Sequence, residues 1–365
     1  MFRFFAAVSI ACAVCLISEV SFAQSQSKFR VGAILPLTGG LAEYGVAAKN
    51  GIELAKEQHP ESFTNIEFVY EDSQWDAKAA VSAFNKLVYS GDVSLVFNWG
   101  NPTTEAIAPI AETSNIPLIG MTLDPSAARG KTRLIRSINP AADFSKRLAE
   151  YLRQKGFKKL GVVLAQNTYV QGLYDGLKAN LGADQQITTI ATFNLSDMDF
   201  RAAISRAKQQ SLDAIGVFLI SGQVSTFYRQ YQDQHVAVPT FGTDFFESAT
   251  EIKMASGAME GAVYPHLGVA PSFESQYTAK YKNDYQIAYA GNAYDMAMMI
   301  GALFNAAQAK LSTEKILDEL HSSRSSMDGV TGAFKYKHTQ NGDSYFEFPV
   351  QLKRVEKGRF IPFAG

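Results

Sequence analysis

Apolar and polar positions along this chain switch between two periods. Residues 30–35 form a short apolar run with no long polar break, the pattern of a strand buried on both faces of a parallel sheet. Pro36 and Gly39-Gly40 end it, because proline removes a ladder donor and glycine permits turn dihedrals. From Tyr44 onward, Lys49, Asn50, Glu53, Lys56 and Glu57 fall on one stripe of a 3.6-residue period, with Ala47, Ala48, Gly51, Ile52, Leu54 and Ala55 opposite. The unit is strand, loop, helix. It recurs with strands predicted at 66–71, 93–97 and 117–120 and helices over 76–89 and 102–113. Residues 132–137 read as a further strand. After Asn139-Pro140 a helix runs to about Lys155 and the alternation restarts, with strands at 160–164, 187–193, 214–220 and 239–242. Helices over 170–181, 200–210 and 224–234 separate them. Such alternation predicts an α/β protein with two doubly wound parallel sheets and right-handed crossovers.

The last hundred or so residues break the rhythm. Val263-Tyr264-Pro265 ends a strand, and helices follow in succession over 271–281, 291–308 and 313–320. Hairpin patterning then takes over: 332–336, a turn at Asn341-Gly342-Asp343, and alternating Tyr345, Phe346 and Phe348 before 350–352. Helices in succession after two α/β halves predict that the chain returns to cover the first domain. The expected division is 24–138 with 265–342 as one lobe, and 139–264 with 343–365 as the other.

The first 23 residues stand outside this scheme. Arg3 precedes an apolar run from Phe4 to Ile17, too short to span a bilayer comfortably, and Ser21-Phe22-Ala23 offers small residues where a signal peptidase reads. The expected mature chain starts near Gln24, in the periplasm. It lacks Cys12 and Cys15, and with them any disulfide framework. A formal net charge of −1 argues against nucleic acid as a partner. Enzyme signatures are missing: no Gly-x-Ser-x-Gly elbow, Gly-x-Gly-x-x-Gly fingerprint or Gly-x-x-x-x-Gly-Lys-Ser/Thr phosphate loop occurs. The five histidines are scattered without metal-ligand spacing. Neither catalysis nor a cofactor is expected.

What remains is a set of polar and aromatic residues at strand carboxyl ends, where open α/β sheets bind ligands. They are Tyr44, the stretch Asn98-Trp-Gly-Asn-Pro-Thr-Thr104, Thr122-Leu-Asp124, Gln166-Asn-Thr-Tyr169, Ser221-Gly-Gln223 and Thr243-Asp244. In order and spacing the chain resembles the leucine/isoleucine/valine-binding protein family, the solute-binding subunits of branched-chain-type amino-acid ABC transporters. The resemblance rests on Val31-Gly-Ala-Ile-Leu-Pro-Leu-Thr-Gly39 with Tyr44-Gly45, and on Tyr70-Glu-Asp72 followed by Ala77-Lys-Ala-Ala80. It continues through Ile116-Pro117, Ala128-Arg-Gly130, Arg136, Gly161-Val-Val, Thr168-Tyr169-Val-Gln-Gly172, Asp199-Phe200 and Phe241-Gly-Thr-Asp244.

The resemblance implies a type I periplasmic binding protein: two lobes joined by three crossings, closing over a small ligand. Hinges are expected at 137–140, 263–265 and 341–344. The expected partners are a small molecule and membrane permease subunits, and the protein is expected to be a monomer. Tyr44, Tyr169 and Asp244 match the family's ligand contacts, with Asp244 in the place of an acid that pairs with a ligand ammonium. Asn101 stands where a serine would grip the ligand carboxylate, followed by Thr103 and Thr104. Thr122 holds one carboxylate-binding position, and Asp124 stands near a second, where it would repel that group; either the loop is shifted or the ligand differs there. The implied solute is an amino acid or a related amine-bearing compound. A sensing subunit of the same fold and a binder of another solute, such as an amide, are the alternatives.

Overall fold

A computed structural model of the chain describes residues 29–305, 307, 311–322 and 327–363. The expected leader over 1–23, with both cysteines, lies outside the described residues. The first lobe opens with β1 (Phe29–Leu35), α1 (Ala42–Gln58), β2 (Ile66–Asp72), α2 (Ala77–Asn85), β3 (Leu95–Trp99), α3 (Asn101–Ser114), β4 (Leu118–Met121) and β5 (Leu134–Arg136). The second follows with α4 (Ala141–Gln154), β6 (Lys159–Ala165), α5 (Thr168–Asn180), β7 (Gln186–Phe193) and α6 (Arg201–Gln209). It continues with β8 (Ala214–Phe218), α7 (Gln223–Asp233), β9 (Thr240–Gly242), α8 (Ala249–Ala255) and β10 (Val263–Leu267). The chain then returns to the first lobe with α9 (Pro271–Tyr281), α10 (Ile287–Asn305), α11 (Thr313–His321), β11 (Met327–Gly329), β12 (Gly332–His338) and β13 (Ser344–Glu347). Strands β14 (Val350–Glu356) and β15 (Arg359–Phe363) end it in the second lobe.

The strand order is β11-β12-β13-β5-β4-β3-β1-β2 in one sheet and β15-β14-β10-β9-β8-β6-β7 in the other. The central ladders are parallel, and antiparallel pairing is confined to β11 to β13 on one side and to β10, β14 and β15 on the other. Strands β3, β4 and β8 are buried at every residue, which is why they read as unbroken apolar runs. In each sheet the order in which successive strands are added switches sides, between β1 and β3 in one and between β6 and β8 in the other. Crevices open at these switch points, at the strands' carboxyl ends. Helix α10 packs on α1 so closely that a Cβ at Gly51 would lie 2.0 Å from the Ala290 carbonyl oxygen. That glycine sets the distance between the returning helix and the first lobe.

Three differences from the sequence expectation have physical causes. Helix α2 ends at Asn85 in a π-helical turn over Lys86–Ser90, rather than running on as α-helix to 89. Strand β10 runs through Pro265 to Leu267. It pairs with β9 only at Val263, so the missing N–H of Pro265 breaks no ladder on that side. The third crossing lies later than expected: Ser344–Glu347 pairs into the first sheet through Tyr345 and Arg136, so the chain changes lobe at Phe348-Pro349 rather than at 341–344. Two buried contacts fix this crossing. Arg136 makes a fork to Asp343 at 2.8 and 2.7 Å, and Asn139 exchanges hydrogen bonds with the Phe348 backbone at 2.9 and 3.1 Å.

Candidate functional site

A cavity of about 360 Å³ lies between the lobes. The first lobe contributes Tyr44 from α1, Trp75 from the loop after β2, Trp99 at the end of β3, Asn101 and Glu105 from α3, and Tyr289 from α10. The second contributes Asn167 and Tyr169 at the start of α5, and Asp244 with Phe245 after β9. Two backbone features shape the first wall. Gln74 and Trp75 are consecutive non-glycine residues in the left-handed region, at φ 51° and 59°. Asp72 Oδ1 holds this turn by accepting from Gln74 N at 2.9 Å while also accepting from Leu37 N at 2.8 Å. Gly100, at φ +112°, then lets Trp75 approach: a Cβ there would meet the indole at 3.1 Å.

The rings form a connected wall. Tyr44 lies 5.2 Å from Trp99, 5.8 Å from Tyr289 and 6.2 Å from Phe245, and Tyr169 lies 5.8 Å from Phe245. Among them sits Asp244, 3% exposed. Its Oδ1 accepts from the Tyr169 hydroxyl and its Oδ2 from the Tyr289 hydroxyl, the latter at 2.5 Å. Burial, with the charge of Asp244 next in size, pushes the hydroxyls of Tyr44, Tyr169 and Tyr289 well above the usual phenol range, so they remain donors. The local cap belongs to Thr243, whose Oγ1 accepts from Phe245 N at 3.3 Å; the Asp244 carboxylate is directed to the tyrosines instead. No lysine, arginine or histidine lines the cavity among the described residues. The buried cations nearby are taken, Lys353 by Glu247 at 2.6 Å and Arg136 by Asp343. His266, 5.0 Å behind Tyr289, is neutral: burial and then Lys353 bring it down to about 3. The site is thus one buried anion, aromatic walls, and two further carboxylates, Asp76 and Glu105.

Of the eight residues singled out from the sequence, Tyr44, Asn101, Tyr169 and Asp244 line this cavity. The other four do not. Thr103 Oγ1 donates to Trp99 O at 2.8 Å and Thr104 Oγ1 to Gly100 O at 2.7 Å, both fully buried against the backbone that starts α3. Thr122 Oγ1 donates to Asn101 Oδ1 at 2.7 Å. Asp124 caps the short turn over Pro125–Ala128 through Ser126 N at 2.8 Å and stands beside Glu105, which lines the cavity in its place. Sequence reading missed Trp75, Glu105, Phe245 and Tyr289. Trp75 follows a strand end, and the rule that found the other loops applies to it as well. Tyr289 carried no such signal, because the returning helix was expected to begin at Gly291 and begins at Ile287.

Comparison with known proteins supports this architecture. A family model described as periplasmic binding protein matches residues 28–358. The Leu/Ile/Val-binding protein BraC3 of Rhizobium johnstonii is 25% identical over 269 residues, covering 70% of this chain and 72% of that protein. Two solved structures show the same fold. A leucine-binding protein from Thermotoga maritima MSB8 superposes with a TM-score of 0.81 at 22% identity, over 92% of this chain and 98% of that one. An ABC transporter solute-binding protein from R. palustris, in complex with benzoate, gives 0.79 at 19% identity, over 92% and 96%. The chain therefore belongs to the periplasmic binding protein family, and it is similar within it to proteins named for binding leucine, isoleucine and valine.

Proposed function

We propose that this protein is the solute-binding subunit of an ABC importer, exported to the periplasm through the leader over 1–23. It captures an amine-bearing solute, an amino acid or a related compound, by lobe closure and presents it to the permease subunits. One observation carries the reading: Asp244 is buried in the cavity with both oxygens held by tyrosine hydroxyls and, among the described residues, with no protein cation lining the cavity. A buried carboxylate in that setting calls for a cation, and a ligand ammonium supplies it. The surrounding rings add cation–π attraction. The relatives divide between two ligand chemistries, since one is named for leucine, isoleucine and valine and another holds benzoate. An aromatic carboxylate needs a positive partner, and this cavity offers three acids instead. The amine half of an amino acid fits it.

Titration calorimetry on the wild type and on Asp244→Asn, against amines, amino acids and benzoate, tests the reading. An amine-bearing ligand should bind the wild type and be lost by the variant. Equal binding of benzoate to both would overturn the proposal. Export is checked by amino-terminal sequencing of the periplasmic fraction, which should start near Gln24.

A further inference from the structure

We propose that the first-lobe wall of the cavity, where α3 begins, recognises a carboxamide, so that the ligand is a primary amine carrying an uncharged amide rather than a free carboxylate. This deepens the amine reading above and rests on it.

Two donors in that wall lack partners among the described residues: Trp99 Nε1–H and Asn101 Nδ2. Both residues line the cavity, and Trp99 is only 7% exposed. The Asn101 amide cannot turn to relieve this, because its Oδ1 already accepts from Thr122 Oγ1 at 2.7 Å and from Leu123 N at 3.1 Å. Buried donors without partners are rare in folded proteins, and two of them in residues that line one ligand cavity call for an acceptor.

The same wall is poor at holding an anion. The hydroxyls of Thr103 and Thr104 are bonded to backbone carbonyls, and that of Thr122 to Asn101. Pro102, in the first turn of α3, has no N–H to offer where helix starts otherwise bind anions. Glu105 follows Asn101 by one helical turn on the same face and also lines the cavity, as does Asp76. A carboxylate here would meet two neutral donors and two acids, Asp76 and Glu105, the latter's pKa raised by burial and by Asp124 beside it. A carboxamide suits both neighbours. Its oxygen has two lone pairs for Trp99 and Asn101, and its NH₂ group donates to a carboxylate such as Glu105.

Calorimetry with two matched sets, built on a leucine and on a phenylalanine side chain, tests this. Each set holds the amino-acid amide, the free amino acid, the corresponding amine with no carbonyl, and the corresponding amide with no amine. In the better-fitting set the amino-acid amide should bind at least about tenfold tighter than the other three, since each satisfied donor contributes about fivefold. Trp99→Phe keeps an aromatic ring but loses the pyrrole half of the indole with its N–H, and should narrow the gap between the amino-acid amide and the plain amine by about fivefold. A free amino acid binding as tightly as its amide overturns the proposal, and so does a plain amine that does, while both leave the amine reading standing. Tight binding only by the amides lacking an amine, or by no member of either set, overturns both.

Discussion

At the scale of single residues, the proposed amine recognition puts ligand affinity on Asp244. A charge-assisted hydrogen bond to an ammonium is worth roughly 1.5–3 kcal/mol net. Leaving that ammonium buried without its anion adds to the loss, so Asp244→Asn should weaken an amine ligand by roughly 3–5 kcal/mol. Asn101→Ala should cost binding only about 1 kcal/mol, the worth of one neutral bond. It should lower the melting temperature as well, since Thr122 Oγ1 and Leu123 N both lose their acceptor. Calorimetry and a melting curve on the two variants separate these effects. Near-normal affinity in Asp244→Asn would mean that the acid serves the fold alone. The sequence made Tyr44, Tyr169 and Asp244 legible because each follows a strand end. It left the threonines ambiguous, because a hydroxyl next to a cavity and a hydroxyl bonded to its own helix start are the same letter. Only the backbone conformation at Gly100 and the start of α3 decides between them.

Among the elements, β10 carries a titratable group that ties stability to pH. His266 Nδ1 accepts from Leu267 N at 2.9 Å, while Phe144, Tyr289, Lys353 and Asp244 surround the ring or act on it. Its folded value of about 3 lies below the ordinary 6.5, so the unfolded chain binds the extra proton in between. Stability from this residue is therefore present above about pH 6.5 and drains as pH falls toward 3, by at most about 1.4 kcal/mol per unit. Asp295, which burial raises to about 6, acts in the opposite sense between about pH 4 and 6. The informative quantity is thus the difference between wild type and His266→Gln. The variant's urea midpoint should fall less between pH 7 and pH 5, and a parallel fall in both would remove His266 from the account. The central strands of the two α/β halves were legible because burial on both faces writes apolar runs, and the helices because burial of one face writes a 3.6-residue stripe. The third crossing was not. Alternation in Tyr345, Phe346 and Phe348 predicts a strand but not which sheet it joins, and that choice is made by Arg136, some two hundred residues earlier, through Asp343.

For the whole molecule, contacts across the cleft describe a closed clamp. Tyr289 of the first lobe donates to Asp244 of the second, and Tyr44 lies 3.3 Å from Ser221. A ligand that touches both walls gains its full binding free energy only in this form, so it shifts the population toward it. Small-angle scattering should show a smaller radius of gyration on saturation with a bound ligand, and no change would argue against a hinge. The aromatic wall has a spectroscopic consequence. The chain contains two tryptophans, Trp75 and Trp99, and both face the one cavity. Light absorbed at the red edge of the protein band is therefore re-emitted from the cleft alone, with no distant indole to dilute it. Arrival of a solute and expulsion of water should move that emission to shorter wavelength, in a titration that needs no label and saturates at the calorimetric stoichiometry. Trp75→Phe and Trp99→Phe would then divide the signal between the two rings.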